Sequence, residues 1–159
     1  MNPALAGGLI YAMVMQPPRT DARNAGLADA AVATRLPAQD LERARRFYAD
    51  KLGLQPAEER TGGLRYRCAS GEFAIFQSAG APSGAHTQMA FEVRDIESTV
   101  KELRARGVAF EEYDLPGLRT SEGIAEVHGN YASKGGIGER AAWFTDSEGN
   151  LLAVGQRLS

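Results

Sequence analysis

Apolar side chains recur along this chain in two periods, and the change from one period to the other marks the predicted elements. After Asp40, apolar positions fall three and four residues apart, which predicts an amphipathic helix through about Leu52. The stretch after Asp95 repeats that spacing. Gly53 and Gly107 follow the two stretches and provide the left-handed residue that commonly ends a helix. Two helices with matching start and stop signals indicate an internal repeat.

Short apolar or alternating stretches predict the strands around these helices. In chain order the predicted strands are residues 30–36, 55–60, 64–69, 72–77, 87–94, 109–113, 140–145 and 151–155. A loop over residues 114–138 is rich in Gly, Ser and Asn, and we interpret it either as a functional lid or as mobile surface. The result is an α+β domain of two βαβββ half-repeats, about residues 30–78 and 86–157. Its curled mixed sheet is expected to leave a concave cleft for a small molecule.

The composition narrows the classes of function. The chain has 159 residues, and we predict one domain over residues 30–159 after an N-terminal extension, residues 1–29. Its 18 basic and 20 acidic residues give a net charge of −2, which argues against a nucleic-acid or membrane-surface partner. Cys68 is the single cysteine and His86 and His128 are the two histidines, so an intrachain disulfide and a histidine-rich metal centre are excluded. The cysteine usage favours a cytoplasmic protein, with Cys68 as a buried, inert thiol.

The extension contains an apolar segment over residues 4–15 that is too short to span a bilayer and lacks the basic start of a secretory signal. A linker over residues 16–21 follows it. We expect the segment to pack on the domain or on a partner subunit. The alternative is that Met13 or Met15 is the natural start.

The repeat resembles a known family. The first helix with Phe47, Tyr48 and Gly53, and the closing stretch over residues 143–150, are similar to those of the vicinal oxygen chelate superfamily. That superfamily includes glyoxalase I, extradiol dioxygenases, fosfomycin-resistance proteins and bleomycin-binding proteins. The resemblance covers about residues 30–157 and implies the glyoxalase/bleomycin-resistance-type fold. It also implies a homodimer in which paired modules complete the clefts.

Metal-dependent members of the superfamily place one ligand on the inward face of each of four strands. Carried over by position, those sites are Ala33, Ile75 or Phe76, Gln88 and Ala153. Only Gln88 has a donor atom, and one neutral amide cannot hold a divalent ion alone. We therefore predict no metal and no cofactor.

The same positions favour an organic ligand. Small side chains at Ala33 and Ala153 leave volume on the inward faces, and aromatic side chains can border it. This pattern favours a flat or aromatic small molecule. The predicted ligand-binding residues are Arg35, Phe76, Gln88, Glu92, Tyr113, Trp143 and Ala153.

Three residues could take part in catalysis or displaced metal binding. Glu92 shares the face of Gln88 and is either a general base whose pKa is raised by burial or the ion-pair partner of Arg35. His128, in the long loop, is either an acid or base in the cleft or a solvated loop residue. His86 is either a ligand beside Gln88 and Glu92 in a displaced metal site or an ordinary loop histidine.

Three functions remain in competition. The first is a small-molecule-binding protein without metal ligands, which sequesters a drug or metabolite. The second is an enzyme, either a metal-free isomerase, lyase or hydrolase that uses Glu92 or His128, or a metal enzyme with displaced ligands. The third is a protein that acts through its dimer contacts. The expected partners are a small organic ligand and a second copy of the chain.

Overall fold

A computed structural model describes residues 27–159. The apolar segment and the linker predicted in the extension lie outside the described residues. The described residues fall in two units, with residues 27–32 in the first and Ala33–Ser159 in the second. The described part of the first unit contains a short 3-10 turn, Leu27–Asp29. All elements discussed below belong to the second unit.

The first half-repeat forms a four-stranded sheet covered by one helix. Its elements are β1 (Thr34–Ala38), α1 (Leu41–Asp50), β2 (Glu58–Arg60), β3 (Gly63–Arg67) and β4 (Glu72–Gln77). The strand order is β1-β4-β3-β2. β1 runs parallel to β4, whereas the other neighbours are antiparallel.

The second half-repeat has the same plan. Its elements are β5 (Thr87–Glu92), α2 (Ile96–Ala105), β6 (Asp114–Leu115), β7 (Leu118–Arg119), β8 (Ala125–His128), β9 (Gly138–Thr145) and β10 (Leu151–Leu158). The order β5-β10-β9-β8 matches that of the first sheet, with β5 parallel to β10. β6 and β7 form a separate small hairpin. The predicted α+β fold of tandem βαβββ repeats is confirmed.

The predicted helix signals are present at equivalent places in both halves. The Asp40 side chain accepts a hydrogen bond from the backbone N of Arg43 at 2.9 Å, and that of Asp95 accepts one from Ser98 at 3.0 Å. Gly53 has a φ of +70° just after α1 ends. Within residues 27–159 no helix is long and apolar enough to cross a bilayer.

The strand predictions from the sequence were wrong in three places. Residues 109–113 make only an isolated bridge, Phe110 to Phe144, instead of a strand. In chain order, the second of the four strands in the second sheet is β8, which lies inside the predicted 114–138 loop and pairs with β9. β8 has four residues, so its alternation is too brief to stand out among the surrounding glycines. The first strand begins at Thr34 and not at residue 30.

One hydrophobic core joins the two halves. It is formed by the helix-facing sides of both sheets and the apolar faces of both helices. Tyr48 on α1 packs against Tyr66 and Phe73, with ring centroids 5.2 and 5.7 Å away. Phe73 also meets Phe91 of the second half edge to face, at 6.0 Å. The core therefore fixes which face of each sheet remains uncovered by a helix.

Candidate functional site

The face of the first sheet that points away from α1 carries a shallow cavity, and we call it the first open face. Leu36, Leu64 and Ile75 point into the core and are at most 3% exposed. Because side chains alternate along a strand, their neighbours point the other way. The residues placed there include Arg35, Glu58, Arg60, Gly63, Arg65, Glu72, Ala74 and Phe76. The cavity they border, together with Ala33, has a volume of about 270 Å³.

The structure resolves the alternative between Ile75 and Phe76. Ile75 is fully buried in the core. Phe76 is half-buried and lies on the first open face, between Pro37 on β1 and Gly63 on β3. The inward position that sequence left open is therefore that of Phe76.

The second sheet has an equivalent uncovered face, the second open face. Trp143 on β9 lies opposite Ala153 on β10, which in turn lies beside Ala90 on β5. Tyr113 meets Trp143 edge to face at 5.5 Å between ring centroids. The indole N–H of Trp143 donates to Oγ1 of Thr87 at 3.1 Å. Tyr113 and Trp143, two of the predicted ligand-binding residues, are thus in contact. Ala153 is a small, buried residue beside them.

Gln88 occupies an irregular point in the second sheet. The pairing of β5 with β10 shifts register between Leu151 and Leu152, so Gln88 lacks a paired partner across the ladder. Such bulges often re-aim a side chain near a binding site. The Oε1 atom of Gln88 is buried and has no hydrogen-bond partner among the described residues. An unsatisfied buried acceptor costs stability unless something supplies a donor.

The residues at the four superfamily metal positions do not fit a metal ion. Ala33, Phe76 and Ala153 offer no donor, and Gln88 offers one neutral oxygen. Within residues 27–159 no group of three His, Cys, Asp or Glu side chains is arranged to hold a metal. Divalent ions need several such ligands in a defined geometry. The prediction that this chain binds no metal stays a prediction, and it rests on the donor chemistry.

Glu92 does not have the surroundings expected of a buried general base. Its carboxylate pairs with the ammonium of Lys134 and not with Arg35. The hydrogen bond and the charge of Lys134 lower the pKa of Glu92 from its ordinary value, whereas the base hypothesis required a raised pKa. The side chain is 79% exposed. Glu92 and Lys134 border an open concavity of about 1030 Å³ at one end of the second sheet.

Neither histidine lies on the second open face. Ala125 and Ala141 face each other on the open side of β8 and β9, so the alternation turns His128 toward the side covered by α2. His128 borders a different surface concavity there, of about 860 Å³. His86 is exposed, and its Nδ1 lies 3.2 Å from the Ser83 hydroxyl. The structure thus does not place His128 in the cleft or His86 beside a metal-ligand set.

The two open faces hold different parts of the predicted site. Arg35 and Phe76 lie on the first open face, whereas Gln88, Trp143 and Ala153 lie on the second. Each of the three cavities is lined by residues of one half-repeat. Arg60 and Arg65 on the first open face were missed by sequence reasoning. The alternation of Arg65 with the core residues Leu64 and Tyr66 was the signal that could have found Arg65.

Comparison with known proteins identifies the family. Residues 30–154 match the family model described as the Glyoxalase/Bleomycin resistance protein/Dioxygenase superfamily. The chain therefore belongs to this superfamily. A search of curated proteins gives no match.

Solved structures support the same fold. A glyoxalase/bleomycin resistance protein/dioxygenase from Alicyclobacillus acidocaldarius is 17% identical with a TM-score of 0.60, covering 86% of this chain and 96% of its own. One from Nocardioides is 21% identical with a TM-score of 0.56, covering 82% and 84%. A virulence protein from Salmonella typhimurium is 17% identical with a TM-score of 0.56, covering 82% and 98%. At these identities the similarity shows the fold alone.

Proposed function

We propose that this chain is a small-molecule-binding protein of the glyoxalase/bleomycin-resistance type that holds its ligand without a metal and works by sequestration. One observation carries the proposal. The positions that hold metal ligands in metal-dependent relatives are here Ala33, Phe76, Gln88 and Ala153. Such a surface offers volume, aromatic contact and one unsatisfied acceptor, which suits an organic ligand better than an ion.

The second open face supplies contacts of three kinds. Trp143 and Tyr113 offer aromatic surface for a flat ring, and buried Ala153 leaves the space beside them unfilled by a long side chain. The free Oε1 of Gln88 would accept a hydrogen bond from an N–H or O–H of the ligand. A ligand donor there would remove the cost of the unsatisfied oxygen.

We also propose a homodimer. Each open face lacks a helix, and each cavity is lined by one half-repeat. A second copy related by a two-fold axis would bring the first open face of one chain toward the second open face of the other. Light scattering at several concentrations tests this, and a monomer at all of them would contradict it.

The enzyme alternative gains no support from a specific contact. Glu92 is exposed with a lowered pKa, and His128 lies on the α2 side of its sheet. A cytoplasmic location and a reducing environment for Cys68 stay predictions from the sequence.

A thermal-shift panel of flat neutral, cationic and anionic aromatic compounds tests the binding function. We expect at least one class to raise the melting temperature, with the same shift in the presence of EDTA. Trp143→Ala should reduce the shift, whereas the control Leu115→Ala on the small hairpin should retain it. Stabilisation by no class of compound would overturn the proposed function, and stabilisation abolished by EDTA would overturn its metal-free form.

A further inference from the structure

The first open face has an arrangement of charge that selects among ligands. The row across the sheet through Arg35 continues through Ala74 and Arg65 to Glu58. The next row runs from Pro37 through Phe76 and Gly63 to Arg60. Arg35 and Arg60 therefore stand on the two outermost strands. With strands about 4.8 Å apart, roughly 14 Å separates these two strands, and the two-residue offset along the strand places the two backbones roughly 16 Å apart.

The floor between these two arginines is low and apolar. Ala74 and Gly63 leave the centre of the sheet unfilled, and Phe76 offers a half-buried ring beside them. The Arg60 side chain lies over Gly63, where an added Cβ would come within 3.3 Å of its Nε atom. The cavity of about 270 Å³ is close to the lower bound of about 300 Å³ for pockets of drug-sized ligands. Its occupant is therefore small.

The acidic groups of this face share one arginine partner. Arg65 forms ion pairs with both Glu58 and Glu72. Its Nη2 atom lies 2.6 Å from the Glu58 carboxylate, and its Nη1 atom lies 2.6 Å from the Glu72 carboxylate. Within the described part of the chain, Arg35 and Arg60 form no ion pair. Counted together, Arg35, Arg60 and Arg65 outnumber Glu58 and Glu72 on this face, which leaves a net charge of +1. Guanidinium groups in such positions bind carboxylate, sulfonate or phosphate oxygens.

We propose that the first open face binds a small planar organic anion, its ring against Phe76 and its anionic group held by Arg35 or Arg60. This inference rests on the proposed binding function and names the class of ligand that the first open face takes. A cationic ligand would meet the surplus positive charge, and a neutral one would leave both guanidinium groups without a new partner.

Two dyes that share one ring system test the charge preference. 8-Anilino-1-naphthalenesulfonate is an aromatic anion with a planar naphthalene ring, and N-phenyl-1-naphthylamine has the same rings without the sulfonate. Fluorescence titration of the full chain should show the double variant R35Q/R60Q binding the sulfonate about tenfold more weakly, because charge-assisted hydrogen bonds are lost. Its affinity for the neutral dye should be unchanged. R46Q removes the same charge from an exposed site on α1 and should bind both dyes as the wild type does.

The possible outcomes distinguish failure of the anion preference from failure of the proposed binding function. Equal sulfonate affinity in wild type and R35Q/R60Q would overturn the anion preference. If F76A then lowered the affinity for both dyes, the first open face would still be a binding site, and the proposed function would stand. If the wild-type protein binds neither dye, anion binding at the first open face is overturned. The proposed small-molecule-binding function is tested separately by the thermal-shift panel. Both arginines are exposed, so the double variant should fold, and its thermal melt checks this.

Discussion

The hydroxyl of Tyr48 donates a hydrogen bond to Oδ2 of Asp146 at 2.9 Å, across 98 residues of sequence and with both groups buried. Asp146 also accepts hydrogen bonds from the backbone N of Glu148 and from both the backbone and the side-chain amide of Asn150. This cluster joins the first helix to the β9–β10 turn. It serves the scaffold, because none of its members lies on either open face.

Tyr48→Phe should lower the free energy of unfolding by about 1–3 kcal/mol, because it leaves the buried Asp146 carboxylate without one of its donors. The loss of the hydroxyl changes little else in the packing of the ring. Urea denaturation followed by circular dichroism measures the effect. Tyr131→Phe is the matched control, since Tyr131 is 77% exposed and should tolerate the change. Equal stability of Y48F and wild type would contradict the structural role of this contact.

Glu148 makes the stability depend on pH. Burial alone would raise the pKa of this carboxyl, but hydrogen bonds from Arg43 and from the backbone of Asp40 and Gln39 outweigh burial and lower the pKa from 4.5. The ionised carboxylate therefore stabilises the fold above about pH 4.5. That contribution is lost as the pH falls through the lower folded pKa.

Glu148→Gln should therefore destabilise the protein at pH 7, by about 1–3 kcal/mol, and by progressively less toward pH 3. The measurement is the urea midpoint of variant and wild type across this range. Glu126→Gln, at an exposed position on β8, should show no comparable change with pH. A difference between E148Q and wild type that stays constant down to pH 3 would argue against the assignment.

Local signals in the sequence predicted the helices, whereas contacts between distant residues could not be predicted from it. Asp40 and Asp95 act within three residues of themselves, so the helix starts could be read directly. Glu92 and Lys134 are 42 residues apart, and no local pattern pairs them. Likewise Ile75 and Phe76 are both apolar, and only packing against the core decides which one lies on the first open face.

Gln88→Met should weaken ligand binding and leave the fold as stable or more stable. The substitution keeps the length of the side chain and removes the buried Oε1 atom that has no partner among the described residues. Removal of a buried acceptor that has no partner can raise the free energy of unfolding by up to about 1–3 kcal/mol. Gln77→Met is the control, because the Gln77 amide donates to the Gln39 carbonyl at 2.6 Å and its loss should not stabilise. Lower stability together with unchanged binding in Q88M would show that Gln88 is structural.

Gly135 and Gly136 offer a matched pair for the segment that leads into β9. Both have positive φ, +68° and +77°. Only at Gly136 would an added Cβ meet the backbone, 2.1 Å from the Leu158 carbonyl oxygen, whereas the space at Gly135 is open. That same oxygen accepts a hydrogen bond from the backbone N of Ile137 at 3.0 Å.

Gly135→Ala should therefore cost only the strain of a left-handed residue, about 1–2 kcal/mol. Gly136→Ala should cost that strain plus about 1–3 kcal/mol, because Leu158 at the end of β10 must shift to relieve the clash. Urea denaturation of the two variants measures the difference directly, since both substitutions have the same effect on the unfolded chain. A larger loss for G136A would show that this segment is held against β10 in solution. Equal losses would mean that the segment moves away from Leu158 at little cost, as expected of the lid that the glycine-rich sequence suggested.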